Sequence, residues 1–394
     1  MSRGPRSIGG VATLSTFGQD VVRVRVPATS ANLGPGYDAL GLALALHDQV
    51  EARVTPSGVS ISVWGEGAEL ADAGERHLVV FAMRAAFDEL GVGQPPGIEL
   101  RCVNGIPQGR GLGSSAAAIS AGILAARALA GAPTGPQDAL QLANALEGHP
   151  DNVAPCLYGG LTVAWLSIGD PAADGIAGGG LAGGGPVSGG QLAGSATGGA
   201  VAGGGAVDWP VAGGSVIAGP LATGSVGGSM VARAVRLAPL PELKPVVMVA
   251  PEPVPTEVAR GLLPGEVAHA DAVANAGRAA LLVAALTGGG SGSAGWEGTA
   301  RPEALLAATE DRLHQDYRAP AMPATADLIS RLRAAGVPAV VSGAGPSVLA
   351  FAGADDDLGK LDSISRGTGI DWRISRLDIE QQGASVTSGV QSVR

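Results

Sequence analysis

The stretch PQGRGLGSSAA, residues 107–117, decides how the rest of the chain is read. Gly109, Gly111 and Gly113 alternate with other residues, and Ser114 and Ser115 then open a run, 115–130, in which Arg127 is the only charge. Glycine lets a backbone take positive φ and come close to another group. A helix that is apolar all round is a buried one. Its first N–H groups have no partners within the helix and carry partial positive charge. The stretch therefore predicts an anion site, suited to a polyphosphate, where a buried helix begins. Taken alone, the glycines fit an ordinary strand–turn–helix junction with a serine cap. The spacing is neither a Walker A loop, since no lysine follows the last glycine, nor a full G-x-G-x-x-G.

Elements are read outward from this stretch by period. VVRVRV, 21–26, alternates like a half-exposed strand and runs into Pro27 and a loop. Further strands are expected at 50–54, 59–63, 98–103, 161–166 and 246–250. Helices are expected at 78–90, ended by Gly91, and at 136–147, where Ala139, Leu142, Ala143 and Leu146 form one stripe. Residues 148–155 read as a turn. Helices at 271–286 and 325–335 follow, and 338–350 reads as strand–loop–strand around SGAGPS.

The 394 residues suffice for two domains. Only 3% are aromatic, so the cores must be built from Val, Leu, Ile and Ala. A formal charge of −10 argues against nucleic acid as a partner. Cys102 and Cys156 form no C-x-x-C pair, which fits reduced structural thiols and the cytoplasm. No secretory h-region opens the chain, and no apolar run of about 20 residues free of frequent glycine predicts a membrane span. The expected organisation is a disordered tail at 1–20, an ATP-binding domain at 21–166, a Gly/Ala-rich low-complexity insertion at 167–230, a second domain at 231–384 and a tail at 385–394.

Three further polar constellations stand out. EGHPDN, 147–152, offers Glu147, His149, Asp151 and Asn152 at a helix end. PATSANLGPGYDALG, 27–41, offers Thr29, Ser30, Asn32 and Asp38 on a loop leaving a strand. SGAGPS, 342–347, is a second glycine loop. Each alone is compatible with a polar turn.

Together, in this order, these stretches resemble the GHMP family of small-molecule kinases. EGHPDNVAP (147–155), PTEVARGLLP (255–264) and DYRAPAMP (316–323) narrow the resemblance to members acting on the side-chain hydroxyl of L-homoserine. It covers about 21–166 and 235–382. It implies an α+β, two-domain GHMP-kinase fold: an N-terminal α/β domain with a left-handed βαβ crossover, and a C-terminal ferredoxin-like domain. It implies that Pro107, Gln108, Gly109, Arg110, Gly111, Leu112, Gly113, Ser114, Ser115, Ala116 and Ala117 cradle the phosphates of ATP, and that Ser115 and Glu147 hold Mg²⁺. Asn32, Asp38, His149 and Asn152 would line the homoserine pocket, Asp38 facing the ammonium. Arg260 and Arg318 would clamp the carboxylate, a task that suits the guanidinium fork. For the chemistry two readings stay open: Asp151 as general base, or Asn32, Asn152 and Thr256 orienting the hydroxyl. Another GHMP kinase, of mevalonate or shikimate type, and an inactive binding or regulatory protein on the same fold are the alternatives. A homodimer is left open. Tyr37 departs from the family, which often has Phe there, and so does the insertion.

Overall fold

The computed structural model describes residues 17–18, 20–168, 230–288, 300–352 and 358–389. Its strands are β1 (Val21–Ala31), β2 (Leu40–Thr55), β3 (Gly58–Gly65), β4 (Gly97–Asn104), β5 (Leu161–Ile168), β6 (Met230–Leu237), β7 (Val246–Val249), β8 (Ala339–Val341), β9 (Val348–Ala350), β10 (Arg373–Arg376) and β11 (Ser385–Gly389). Its α-helices are α1 (Leu78–Leu90), α2 (Ser114–Leu129), α3 (Pro136–Glu147), α4 (Pro150–Tyr158), α5 (Thr256–Gly261), α6 (His269–Thr287), α7 (Ala300–Ala308), α8 (Gln315–Arg318), α9 (Pro323–Ala334) and α10 (Leu358–Arg366).

Seven strands make the first sheet, in the order β11-β1-β2-β4-β3, with β5 on β2 and β6 on β5. Sixteen-residue β2 pairs with β1 and also serves two further strands: its start pairs with β5 and its end with β4. β3 and β4 run parallel, joined by α1, while the other pairs are antiparallel. Helices α1–α4 close over the sheet, with α2 the most deeply set. Apart from partly buried Ser114, Ser115, Ala118 and Ala128, α2 is wholly buried, which answers to its lack of a polar face.

The second sheet has the order β10-β7-β9-β8, all antiparallel, with α9 and α10 packed on it. That is the 4-1-3-2 order of a ferredoxin-like sandwich, as expected. Alternate residues of β7 face opposite ways. Val246 and Met248 join Leu328, Leu332 and Leu361 under the helices. Val247 and Val249 join the core that runs on into the first domain. A strand buried on both faces reads as an unbroken apolar run, which VVMV is. Helix α6 is long and apolar enough to cross a membrane by length and composition, a test that core helices also pass. Leu282, Ala285 and Leu286 of this helix are fully buried in the protein core.

Several expectations are corrected. Strand β1 does not stop at Pro27 but bends there, with a register shift between Pro27 and Ala28, and continues to Ala31. A bulge accommodates a proline that a regular ladder would not. Residues 150–158 are a helix, α4, not a turn. Pro150 sits in its first turn, and Pro155 within it removes only one donor, the one due to the Asp151 carbonyl.

The tails are shorter than predicted. Phe17 is buried against Phe87, with ring centroids 5.2 Å apart, and Gly18 N–H donates to the Leu129 carbonyl. Residues 385–389 form β11 on β1. Ser167 and Ile168 extend β5, and Met230 begins β6, so the 230–237 segment completes the first sheet rather than opening the second domain. The low-complexity stretch between them, and residues 1–16, lie outside the described residues.

Candidate active site

The phosphate-loop prediction can be tested against backbone geometry. Gly109, Gly111 and Gly113 all have positive φ, at 64°, 71° and 69°. At two of them a side chain would also collide. A Cβ on Gly111 would lie 2.1 Å from the Ser342 carbonyl, and one on Gly113 would lie 1.9 Å from Thr29 Oγ1. The glycines thus let the loop be gripped from two sides, by the end of β1 and by the 342–346 turn. Ser342 Oγ donates to the Gly111 carbonyl (2.6 Å) and lies 2.8 Å from Ser30 Oγ. Thr29 N–H donates to the Leu112 carbonyl at 3.0 Å.

Behind Gly113, α2 begins with no side-chain cap, so its first N–H groups look out over the loop. Ser115 Oγ donates to Glu147 Oε1 at 2.6 Å. Glu147 ends α3, and Gly148 in the left-handed region turns the chain into α4. There His149 Nδ1 meets Asp151 Oδ1 at 2.5 Å. Burial pushes the Glu147 carboxyl above the usual range, against the pull of His149 and the Ser115 hydroxyl. Burial opposes a charged His149, but the Asp151 and Glu147 carboxylates outweigh it and raise the group to about 9. Burial would likewise raise Asp151, yet the His149 charge beside it brings the carboxyl below its usual range. Asn152 Oδ1 accepts from Thr29 Oγ1 at 2.8 Å, which leaves the Asn152 amide nitrogen for the cavity it lines.

The 32–38 loop supplies the facing side. Asn32, Leu33 and Asp38 have φ of 68°, 50° and 52°, a region costly to residues with a Cβ. Hydrogen bonds hold them there. Asn32 Oδ1 accepts from Asp38 N–H (2.9 Å), and its Nδ2 donates to the Gly343 carbonyl (2.8 Å). Arg318 is 1% exposed and Arg260 part-buried.

One cavity of about 570 Å³ joins these parts. Asn32, Gln108, Gly109, Gly111, Gly113, Ser114, Ser115 and Ala117 line it, as do Glu147, His149, Asp151, Asn152, Thr256, Arg260 and Arg318. Thus most predicted site residues meet, from five separate segments.

Some do not. Arg110 turns away from the cradle: its Nε donates to the Ala250 carbonyl (2.9 Å) and its Nη2 to that of Pro251 (2.6 Å), tying the loop to the second domain. Pro107, Leu112 and Ala116 are buried and do not line the cavity. Asp38 does not line it either; its carboxylate pairs with Arg260 Nη2 at 3.0 Å. Sequence reasoning gave these two charges to opposite ends of a substrate, whereas here each answers the other. It also missed part of the lining, where Leu70, Ala73 and Leu78 stand beside Glu69, Asp72, Arg76, His77 and Asn104. Apart from Asn104 at the end of β4, this lining belongs to a 3₁₀ segment, Ala68–Arg76, and the start of α1, neither of which carries a motif.

Oxygen donors at one point of the cavity suit a hard cation. Among the described residues no group of three His, Cys, Asp or Glu is poised for a metal. Mg²⁺ needs no such group, because it takes one or two protein oxygens and fills its shell with phosphate and water. The Ser115 hydroxyl and the Glu147 carboxylate fit that description.

Comparison with known proteins shows the family. Residues 77–160 match the family described as GHMP kinases N terminal domain, and residues 299–366 match GHMP kinases C terminal. The chain is 47% identical to the homoserine kinase of Streptomyces coelicolor over 94% of this chain and 96% of that one. It is 40% identical to the homoserine kinase of Clavibacter michiganensis over 93% of each. A solved structure, the homoserine kinase of Cytophaga hutchinsonii, superposes with a TM-score of 0.65 at 25% identity, covering 93% of this chain and 98% of that one. The chain belongs to the GHMP kinases and, within them, to the homoserine kinase family.

Proposed function

We propose that the chain transfers the γ-phosphoryl group of ATP to the side-chain hydroxyl of L-homoserine, giving O-phospho-L-homoserine for threonine biosynthesis. The observation that carries this reading is a single cavity joining a glycine-built cradle to two guanidinium groups, Arg260 and Arg318. A cradle alone serves any nucleotide. Two arginines with a carboxylate, Asp38, beside them suit a zwitterion. Mevalonate has no ammonium for Asp38 to meet, which disfavours that substrate.

The roles follow from chemistry and position. Backbone N–H groups of residues 109–115 and the α2 dipole receive the polyphosphate. Ser115 and Glu147 would hold Mg²⁺, which when bound neutralises charge on the β- and γ-phosphates. Arg318 and Arg260 take the substrate carboxylate, and Asp38 exchanges its pairing with Arg260 for the substrate ammonium. The Asn152 amide, Asn32 and Thr256 orient the hydroxyl that attacks the γ-phosphorus. Asp151, held by a charged His149 and depressed in pKa, is a weak proton acceptor. That favours a mechanism resting on alignment and charge neutralisation, which phosphoryl transfer chiefly needs. The ATP-binding domain would comprise the first sheet with α1–α4. We also place the enzyme in the cytoplasm, in keeping with free buried thiols at Cys102 and Cys156.

The test is ADP release in the presence of L-homoserine, with L-serine and mevalonate as controls. Turnover confined to L-homoserine is the expected result. Equal or faster turnover of mevalonate, or none with any of the three, defeats the reading.

A further inference from the structure

Arg318 is a buried guanidinium that, among the described residues, pairs with no carboxylate. Its Nη1 donates to the Gly343 carbonyl at 3.3 Å and faces His314 Nδ1 at 3.2 Å. Its Nε is buried with no partner, and no hydrogen bond among the described residues engages Nη2. The Nε–Nη2 edge is one of the edges on which guanidinium takes a carboxylate through two parallel bonds.

His314 is fully buried, and its two ring nitrogens face opposite kinds of partner. Nε2 lies 2.9 Å from the Gly34 carbonyl, which only accepts. Nδ1 lies against Arg318 Nη1, which only donates. One state satisfies both: the neutral ring with its proton on Nε2. Burial holds the imidazole below its usual range despite Asp311 at 3.7 Å, which agrees with that state. Tyr37 completes the mount. Its ring centroid lies 5.3 Å from the Arg318 Cζ and 5.1 Å from the His314 ring centroid. The guanidinium is thus held at Nη1 and on one face, with the opposite edge left over.

We propose that His314 is a positioning residue that fixes which edge of Arg318, Nε and Nη2, is presented to the substrate carboxylate. This rests on the homoserine reading above. His314 itself lies behind Arg318 and does not line the cavity.

Two amide substitutions separate its two contacts. His314→Asn sets an acceptor near the place of Nδ1, whereas His314→Gln sets a donor near the place of Nε2. The kinetics of each are measured with L-homoserine, with ATP and with 3-amino-1-propanol, which is homoserine without its carboxylate. His314→Gln is expected to raise the KM for L-homoserine about 10- to 100-fold, the scale of one charge-assisted hydrogen bond. Its kcat and KM for ATP should stay within about twofold, and its kcat/KM for 3-amino-1-propanol should match the parent. His314→Asn should stay within about threefold of the parent on every substrate. His314→Phe, which keeps a ring beside Tyr37 but no acceptor, reads the same split if the Gln protein does not fold. Equal effects of Asn and Gln, or an equal loss with 3-amino-1-propanol, overturn the proposal. Arg318→Lys tells the two failures apart. If it leaves the KM for L-homoserine unchanged, the carboxylate reading of the site fails; if it raises that KM while His314→Gln does not, only the role of His314 fails.

Discussion

The two ends of the cavity are made of different material. The phosphate end is mostly backbone: glycine turns, the open N-terminus of α2, and carbonyls locked to Ser342 and Thr29. The end proposed for the amino acid is mostly side chains: Arg260 and Arg318 line it from separate segments, and Asp38, outside the lining, pairs with Arg260 from 222 residues away. On the proposed function, backbone donors that fit any polyphosphate would serve the reaction type, and the side chains at the other end would carry the choice of substrate.

The sharpest way to break this contrast is to add one methyl group at the phosphate end. Gly113→Ala meets both a disfavoured φ and the Thr29 hydroxyl. It is expected to lower kcat/KM for both substrates about a thousandfold or more, read by steady-state kinetics beside a thermal melt. A loss seen with L-homoserine alone would contradict a backbone-built ATP end. At the other end, Arg318→Lys keeps the charge but loses the fork. About a hundredfold loss in kcat/KM for L-homoserine is expected, with the KM for ATP within about threefold. Asp151→Asn probes the junction between the two ends. A fall in kcat of about tenfold agrees with alignment; one of about a thousandfold would make Asp151 the base.

The smallest effect concerns Asp48, the buried carboxylate under the phosphate end, which accepts from Gly105 and Ile106 N–H. Burial raises its pKa to about 6, against those two hydrogen bonds. A carboxyl raised on folding binds its proton more tightly in the folded state. Its contribution is therefore favourable at low pH and lost as pH climbs through the interval from about 4 to 6. Asp48→Asn keeps the acceptor and removes the charge. A melting temperature a few degrees above the parent at pH 8, converging with it near pH 4, is expected. Equal shifts at both pH values would show that its charge does not matter.

The same contrast explains what the sequence disclosed. Glycines at alternate positions before a buried helix are a local pattern, so the cradle was legible in residues 107–117. So were α1 and α3, whose ends coincide with Gly91 and with Pro136 and Gly148. Arg260 and Arg318 became legible only through resemblance, because nothing near either residue in the chain says which charge it will meet. The pairing of Asp38 with Arg260, and the turning of Arg110 toward Ala250, are set by tertiary packing that no window contains. Helix α4 was hidden by Pro155, a breaker in isolation but tolerable where only the Asp151 carbonyl loses a donor. The lining from residue 69 to 78 was hidden because those residues carry no motif.

Strand β11 has a consequence in time. The flank of β1 that it covers leaves the ribosome well before β11 does, with the whole second domain made between them. The first sheet therefore waits with one border unhemmed until the whole second domain has been made. The hem itself is short, and its sequence, SVTSG, rich in Ser and Thr, is a poor template for a further strand. Completion of a sheet begun early is thus deferred until the second domain is made, and a chain cut short before residue 385 would leave the β1 edge of that sheet open.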